Sequence, residues 1–206
     1  PGNEGAYGAR IGDGFGFINA SGDTLVAPNY DQVAVFSEGM ASVKLGTKWG
    51  YIDHHQDLVI PYAYSSAGPF KDEMAIVKSE SKYDLINKNG DSMLESPCER
   101  ISRMADGYYL LEDKGLFGLA KPNGTIISNP VFEEIRREEK DKILIRKGDK
   151  YGVIKENGDF ELPLFYNSIL FDKKNDKVLA KSKTEKAPEV LSKKELRKKR
   201  KQKKGA

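Results

Sequence analysis

Short apolar segments alternate with tight polar turns along most of this chain. In Trp49-Gly50-Tyr51-Ile52, the two-residue period of a β-strand puts Trp49 and Tyr51 on one face, and Gly50 and Ile52 on the other. The segment 75–78 alternates in the same way. No segment before residue 182 keeps the 3.6-residue period of an amphipathic helix. The pattern therefore predicts an all-β repeat protein of short antiparallel strands.

An aromatic residue returns five times at a spacing of 34 residues, which marks an internal repeat. In four copies a glycine follows the aromatic, and its missing side chain lets a neighbouring strand or unit pack closely. The third copy departs from this pattern, with Asp84 after its aromatic and Cys98 where an aromatic residue is expected. The predicted structural positions are Phe15, Gly16, Trp49, Gly50, Tyr83, Phe117, Gly118, Tyr151 and Gly152.

Turn and proline signals repeat at the same spacing. Asn-Gly favours a type I′ hairpin turn, because both central residues of that turn need a positive φ. The turn pairs are Ser21-Gly22, Asn89-Gly90, Asn123-Gly124 and Asn157-Gly158. A proline comes next in each copy, and because proline cannot donate to a strand ladder, we expect the strand to end there. The fourth predicted strand of the second copy thus runs from Leu58 to Pro61.

The start of the chain falls into the same repeat frame. Residues 4–11 match residues 38–45 at a distance of 34, so the chain begins part-way through a unit. The last copy is complete near residue 181. We therefore predict a β-repeat domain over residues 4–181 and a basic C-terminal tail over residues 182–206.

The repeat resembles the WG (KWG) β-repeat family. The residues that carry the resemblance are Lys48-Trp49-Gly50-Tyr51-Ile52-Asp53, followed by Val59-Ile60-Pro61. It extends over about seven-eighths of the chain in five copies. The family implies a non-catalytic and mostly bacterial repeat scaffold, without implying one particular function.

Four short strands per unit are the content of a small propeller blade. Five units could close into a five-bladed β-propeller-like ring, whose first blade would be completed by a strand from the C-terminal copy. The alternative is an open β-hairpin solenoid, since 34 residues is short for a propeller blade. A helical repeat of this length does not fit the strand alternation.

Charge divides the chain into two parts. The net charge is +3, but residues 181–206 carry 12 Lys and Arg against 3 Asp and Glu, so the rest is acidic. Ser192 and Glu195 form a capping box that predicts a helix start. We expect the tail to bind an anionic partner electrostatically. The predicted contact residues are Lys193, Lys194, Arg197, Lys198, Lys199, Arg200, Lys201, Lys203 and Lys204.

Candidate chemistry is sparse. Residues 53–57, which read Asp-His-His-Gln-Asp, form the only cluster of metal-ligand residue types, and we interpret them as an exposed polar turn rather than a metal site. The acidic pairs near Glu133 and Glu138 fit a solvated loop. Cys98 fits a small buried residue. No nucleophile elbow or phosphate loop occurs, so we expect a protein without enzymatic activity, metal or cofactor.

These observations predict a protein-interaction scaffold whose variable loops and strand edges bind a protein partner. One alternative is a nucleic-acid- or ribosome-associated protein, with RNA or DNA held by the tail, and an anionic membrane surface is a further tail partner. Another alternative is an exported bacterial envelope scaffold. No run of 18 apolar residues is present, so we expect no membrane-spanning helix. The first residue, Pro1, is compatible with a processed protein or a fragment, and the location is cytoplasmic or exported.

Overall fold

The computed structural model describes residues 4–138, 142–172 and 177–183, and every regular element within them is a β-strand. The all-β prediction is therefore confirmed. The helix predicted to begin near Ser192 lies outside the described residues. No helix in the described part of the chain has the length and hydrophobicity that crossing a membrane requires.

The described residues form twenty short strands. The first ten are β1 (Tyr7–Ile11), β2 (Gly14–Ile18), β3 (Thr24–Tyr30), β4 (Gln32–Val33), β5 (Met40–Leu45), β6 (Lys48–Asp53), β7 (Leu58–Tyr64), β8 (Ser66–Ala67), β9 (Met74–Ser79) and β10 (Lys82–Asn87). The others are β11 (Arg100–Arg103), β12 (Tyr109–Asp113), β13 (Leu116–Ala120), β14 (Ile126–Phe132), β15 (Glu134–Arg137), β16 (Lys142–Lys147), β17 (Lys150–Lys155), β18 (Phe160–Tyr166), β19 (Ser168–Asp172) and β20 (Lys177–Lys181).

These strands form small sheets in which each strand pairs with its neighbour in sequence. The orders are β1-β2-β3, β4-β5-β6-β7, β8-β9-β10, β11-β12-β13-β14, β15-β16-β17-β18 and β19-β20. Pairing is antiparallel, as in β5 and β6, where Met40 lies opposite Asp53 and Leu45 opposite Lys48. Such local pairing needs only tight turns between strands.

Type I′ geometry occurs at a different turn from the one predicted. Glu38 and Gly39 both have positive φ, at 55° and 81°, and Ser37 and Met40 exchange two backbone hydrogen bonds around them. In the Asn89-Gly90 pair only the glycine has positive φ, at 85°. That turn is held instead by Asn87, whose Oδ1 accepts from the backbone N–H groups of Asn89 and Asp91 at 2.9 Å each. The type I′ prediction for Asn-Gly is therefore wrong.

Four of the five repeat prolines, Pro28, Pro61, Pro130 and Pro163, lie inside strands rather than at their ends, and Pro97 of the third copy lies outside the strands. β7 continues through Pro61 to Tyr64, and the prediction that the strand stops at the proline is wrong. Trp49 pairs with Tyr64 and Tyr51 pairs with Ile60, so residues 61–63 form a bulge opposite a single residue. The missing N–H of Pro61 costs no ladder hydrogen bond there, because a bulged residue has no ladder partner.

The core consists of clusters that lie between successive sheets. In β6, Ile52 packs with Phe17 and Phe36 on one face, whereas Tyr51 packs with Ile60 and Phe70 on the other. Both faces of this strand are therefore buried, each in a different cluster. Because side chains alternate along a strand, neighbouring residues of β6 contribute to two different clusters, as the strand pattern predicts.

The aromatics that lead each copy are half-buried, and the deepest positions come two residues later. Trp49 and Tyr83 are half-buried, whereas Tyr51 and Leu85 are completely buried. Half-buried side chains likewise occur at Phe15, Phe117 and Tyr151. The predicted repeat marks the right strand, but in each copy the fully buried side chain is the one two residues after the aromatic.

The chain divides into two compact units. Unit 1 contains residues 1–114 and 119–130, and unit 2 contains residues 115–118 and 131–206. Within unit 1, three clusters lie between the sheets. Within unit 2, Leu144, Val153, Tyr166 and Ile169 form the buried centre.

Candidate functional site

The repeated glycine lies where two strand backbones approach each other. A Cβ atom on Gly50 would lie 2.6 Å from the carbonyl oxygen of Ile60, closer than real side chains come. The corresponding distance is 2.3 Å from Gly16 to Val26 and 2.9 Å from Gly152 to Leu162. A residue with a side chain at this position therefore forces the facing strand, the last one of the unit, away from the strand that carries the glycine.

The third copy carries aspartate at this position, and its fourth strand is lost. Segment 92–98 keeps only two isolated bridges to β10, between Ile86 and Ser92 and between Tyr83 and Cys98. The Asp84 carboxylate accepts hydrogen bonds from the Leu85 N–H and the Ser92 Oγ, each at 2.8 Å. The outer register of the strand survives. Between the two bridges, the segment is held by the Asp84 side chain and by one backbone hydrogen bond, from the Met93 N–H to the Leu85 carbonyl at 2.8 Å.

The half-buried Asp84 carboxylate gives the third copy a specific pH dependence. Burial raises the pKa of Asp84, and its hydrogen bonds only partly oppose that rise. Because the folded state has the higher pKa, protonation of Asp84 stabilises the fold. This stabilisation is complete below the unfolded pKa of about 3.9, and it is lost as the pH rises through the pKa of the folded state.

We expect Asp84→Asn to remove the loss of stability that ionisation of Asp84 causes, because asparagine stays neutral and keeps an oxygen that can accept both hydrogen bonds. The stability of Asp84→Asn relative to the natural chain should therefore grow as the pH rises above about 4. Urea unfolding at a series of pH values measures this difference. The exposed Asp13→Asn variant is the control, and equal pH profiles for both variants would contradict the assignment.

Two clefts lie on either side of Pro97, next to the lost strand. Cleft A has a volume of about 160 Å³, and its walls include Leu94, Glu95, Pro97, Leu111, Asp113 and Pro130. Cleft B has a volume of about 360 Å³, and its walls include Lys48, Glu80, Lys82, Asp84 and Pro97. Cleft A combines the apolar residues Leu94 and Leu111 with the carboxylates of Glu95 and Asp113, whereas cleft B is lined mainly by polar and charged residues.

An ion pair joins residues of the two clefts, since Lys82 lines cleft B and Asp113 lines cleft A. Lys82 Nζ lies 2.5 Å from Asp113 Oδ1 and 3.7 Å from Glu99 Oε1. The hydrogen bond from Lys82 lowers the pKa of Asp113, and the hydrogen bond to Asp113 raises the pKa of Lys82. Both groups are therefore charged at neutral pH and fix the positions of β10 and β12 at the rims.

Cys98 occupies the position where other copies place an aromatic residue. Its side chain is 2% exposed, and the thiol donates to the carbonyl of Arg100 at 3.2 Å. Burial raises the pKa of the Cys98 thiol, so little thiolate forms at neutral pH. The prediction of a small buried residue is confirmed, and the smaller side chain leaves room for cleft A.

The predicted polar turn at residues 53–57 uses the same hydrogen bonds as the other repeat turns. Asp53 Oδ1 accepts from the backbone N–H groups of His55 and Asp57, as Asn87 does one repeat later. His54 stacks on Phe36 at 4.2 Å, and its Nε2 lies 2.8 Å from Glu4. In the part of the chain that the structure describes, no three side chains of metal-ligand type converge.

The sequence analysis did not predict that a glutamate carboxylate of one copy accepts hydrogen bonds from a turn of the next copy. Glu38 accepts hydrogen bonds from the backbone N–H groups of Asp72 and Glu73, at 2.7 and 2.9 Å. Glu4 accepts from the N–H of Gly39 in the preceding turn of the same kind. Burial opposes the ionised form of Glu4, but hydrogen bonds from His54 and Gly39 prevail and lower its pKa. The recurrence of Glu-Gly at a spacing of 34 residues was the available signal.

The predicted contact residues of the tail are not among those that the structure describes. They are Lys193, Lys194, Arg197, Lys198, Lys199, Arg200, Lys201, Lys203 and Lys204. The described part of the candidate site is therefore the opened third copy with its two clefts, all within unit 1.

This chain is a β-repeat protein built from small antiparallel sheets. Its repeated features are a glycine at a close approach of two strands, a bulge at the proline and apolar clusters between sheets. The chain belongs to the family of WG containing repeats, whose model matches residues 15–49, 49–83 and 117–151. The third match begins at Phe117, so residues 84–116, which include Asp84 and Cys98, lie outside the matched segments.

Comparison with known proteins gives distant structural likenesses. None of the curated proteins matches this chain. A Kluyveromyces lactis Hsv2 structure is 9% identical, with 77% of this chain and 58% of that one covered and a TM-score of 0.41. The extracellular domain of BT4673 from B. thetaiotaomicron is 13% identical over 88% of this chain and 32% of that one, with a TM-score of 0.35. A Bacteroides caccae protein of unknown function is 14% identical, with coverages of 82% and 78% and a TM-score of 0.33.

Proposed function

We propose that this chain is a non-catalytic scaffold that binds a protein partner through its repeats and an anionic partner through residues 182–206. The observation that carries the proposal is a group of exposed apolar side chains in unit 1. Leu25, Leu58 and Val59 are 43%, 44% and 42% exposed. Gln56 Nε2 donates to the carbonyl of Leu25 at 3.1 Å, which holds the start of β7 beside β3. Contiguous patches of exposed apolar side chains are typical of protein-binding surfaces.

We further infer that the segments led by Tyr83 and Tyr151 are repeats of the same kind, which makes five copies in all. Tyr151 pairs with Tyr166 at the separation that Trp49 keeps from Tyr64. Gly152 makes the same close approach to a facing carbonyl as Gly50. The bridge between Tyr83 and Cys98 keeps that separation in the opened copy.

The scaffold proposal is tested by purification of bound partners from the native source. The baits are the natural chain, a Leu25→Lys and Leu58→Lys double variant, and Leu170→Lys, which changes an exposed leucine of unit 2. We expect the natural chain and Leu170→Lys to retain the same protein partner, and the double variant to lose it. Equal retention by all three baits would contradict the proposed surface.

The contribution of the tail is tested with a full-length variant in which the nine Lys and Arg of residues 193–204 are replaced by Gln. We expect this variant to lose the partners that the natural chain releases on raising the salt, because such binding is electrostatic. Nuclease treatment separates two outcomes. Loss of the partners by nuclease identifies nucleic acid, and their retention identifies a protein.

A further inference from the structure

We propose that Asn89 is a site of spontaneous deamidation, in the turn between β10 and segment 92–98. Asn89-Gly90 is one of three Asn-Gly pairs in this chain, and the others are Asn123-Gly124 and Asn157-Gly158. Because glycine has no side chain, its backbone nitrogen can approach the side-chain amide of the preceding asparagine closely. The hydrogen bonds of the three asparagine side chains distinguish the three pairs.

The reaction consumes only water. The backbone nitrogen of Gly90 loses its proton and attacks Cγ of Asn89, the bond from Cγ to Nδ2 breaks, and Nδ2 leaves with a proton as ammonia. Water then opens the cyclic succinimide at one of its two carbonyl carbons. Attack at Cγ gives aspartate, whereas attack at the main-chain carbonyl carbon gives isoaspartate, in which the backbone runs through the former side chain.

The backbone is alike in the three turns. The N–H of Gly90 donates to the carbonyl of Asn87 at 3.0 Å, and Gly124 and Gly158 donate to the residue three positions earlier at 3.0 and 2.9 Å. The three glycines have similar positive φ values of 85°, 79° and 78°. Each nitrogen must therefore break the same hydrogen bond before it attacks, and this bond does not select among the pairs.

The asparagine side chains differ because different residues cap the turns. Oδ1 of Asn123 accepts from the Thr125 N–H at 3.2 Å, and Oδ1 of Asn157 accepts from the Asp159 N–H at 3.0 Å. Nδ2 of Asn157 also donates to Asp159 Oδ2 at 3.1 Å. Rotation of either asparagine toward its glycine therefore breaks hydrogen bonds of the turn. In the third copy, Asn87 accepts the turn hydrogen bonds instead.

Asn89 consequently has a side chain that does not hold its own turn. It is exposed and forms no hydrogen bond within the part of the chain that the structure describes. The cause is the residue two positions earlier, because Asn87 offers an acceptor, whereas Lys121 and Lys155 stand at the same repeat position and lysine has none. The Asn89 side chain can thus turn toward the Gly90 nitrogen without losing a bond.

Isoaspartate at position 89 would disturb the opened third copy. It adds a methylene group to the backbone between the N–H groups of Asn89 and Asp91, which Asn87 Oδ1 now holds together. A Cβ on Gly90 would lie 3.4 Å from Ile60 Cγ2, so the longer turn has little space on that side. Segment 92–98 has only two isolated bridges to β10, and we therefore expect its amide exchange to rise.

The test is storage of the full-length protein at mildly alkaline pH and body temperature, followed by peptide mapping with mass spectrometry. The rate at each asparagine is divided by its rate in concentrated urea, which removes the influence of the neighbouring sequence. We expect this ratio to be at least threefold higher for Asn89 than for Asn123 and Asn157. Equal ratios at the three sites would overturn the proposal.

Two matched variants exchange the capping residues. Asn87→Lys gives the third copy the lysine of the later copies, so Asn89 should take over the turn hydrogen bonds and deamidate at least threefold more slowly. Lys121→Asn gives the fourth copy the cap of the third, and Asn123 should then deamidate at least threefold faster. An unchanged or slower rate in Lys121→Asn contradicts control by the cap, even if Asn87→Lys does not fold.

The structural consequence has its own measurement. Stored protein enriched in isoaspartate should exchange the amides of segment 92–98 at least threefold faster than fresh protein. Asn89→Asp adds the charge without the methylene group and should exchange like fresh protein. Unchanged exchange in the enriched protein refutes the disturbance of segment 92–98, and an equal rise in Asn89→Asp refutes the longer backbone as its cause.

Discussion

Replacement of Tyr51 by alanine should lower the free energy of unfolding by about 3–5 kcal/mol, the range for loss of a large buried aromatic side chain. Tyr51 is completely buried in β6 and packs against Phe70 at a ring distance of 4.9 Å. Its hydroxyl donates to the carbonyl of Gly68 at 2.7 Å. Burial raises the pKa of this hydroxyl, which keeps it neutral and able to donate over the whole working pH range.

Tyr51→Phe separates packing from hydrogen bonding. It keeps the ring but leaves the Gly68 carbonyl without its donor, so we expect a loss of about 1–2 kcal/mol. Tyr7→Ala, at a 45% exposed position, is the control and should cost less than about 0.5 kcal/mol. Urea unfolding followed by tyrosine and tryptophan fluorescence measures all three. A loss for Tyr51→Ala no larger than for Tyr7→Ala would show that the second apolar position of the strand is not a core position.

The strand pattern was readable from the sequence because it depends on local rules. Two-residue alternation predicts β5 and β6, and the 34-residue spacing predicts where each strand recurs. The behaviour of Pro61 was not predicted from these rules alone. Proline disfavours a paired position, but only the register of Trp49 with Tyr64 and Tyr51 with Ile60 shows that the strand continues past it.

In the sequence, the candidate site is marked by a departure from the 34-residue repeat and not by a motif of its own. Asp84 and Cys98 break the repeat, and the sequence marks both positions. Their consequence depends on contacts that have no sequence signature. These contacts include the ion pair of Lys82 with Asp113 and the hydrogen bonds that Asp84 makes to Leu85 and Ser92. Sequence reasoning therefore locates the irregular copy, while the clefts follow from three-dimensional packing.

Introducing the third-copy residue into the second copy should reproduce this opening. Gly50→Asp puts a Cβ about 2.6 Å from the carbonyl oxygen of Ile60 and 3.1 Å from two further backbone atoms, and it buries a carboxylate. The centre of β7 must separate from β6, and we expect a loss of about 3 kcal/mol or more in the free energy of unfolding. Amide hydrogen exchange should rise in β7 near Ile60 and stay unchanged in β1 and β2.

The matched control is Thr47→Asp, which adds the same charge at an exposed turn two residues before Trp49 and should change stability by less than about 0.5 kcal/mol. Asp84→Gly is the reverse change, and we expect slower exchange in segment 92–98 because glycine lets this segment approach β10 as closely as β7 approaches β6. If Gly50→Asp is tolerated with unchanged exchange in β7, the glycine is not what holds the fourth strand. If Asp84→Gly leaves segment 92–98 unchanged, Cys98 and the residues around Pro97 keep the third copy open without the aspartate.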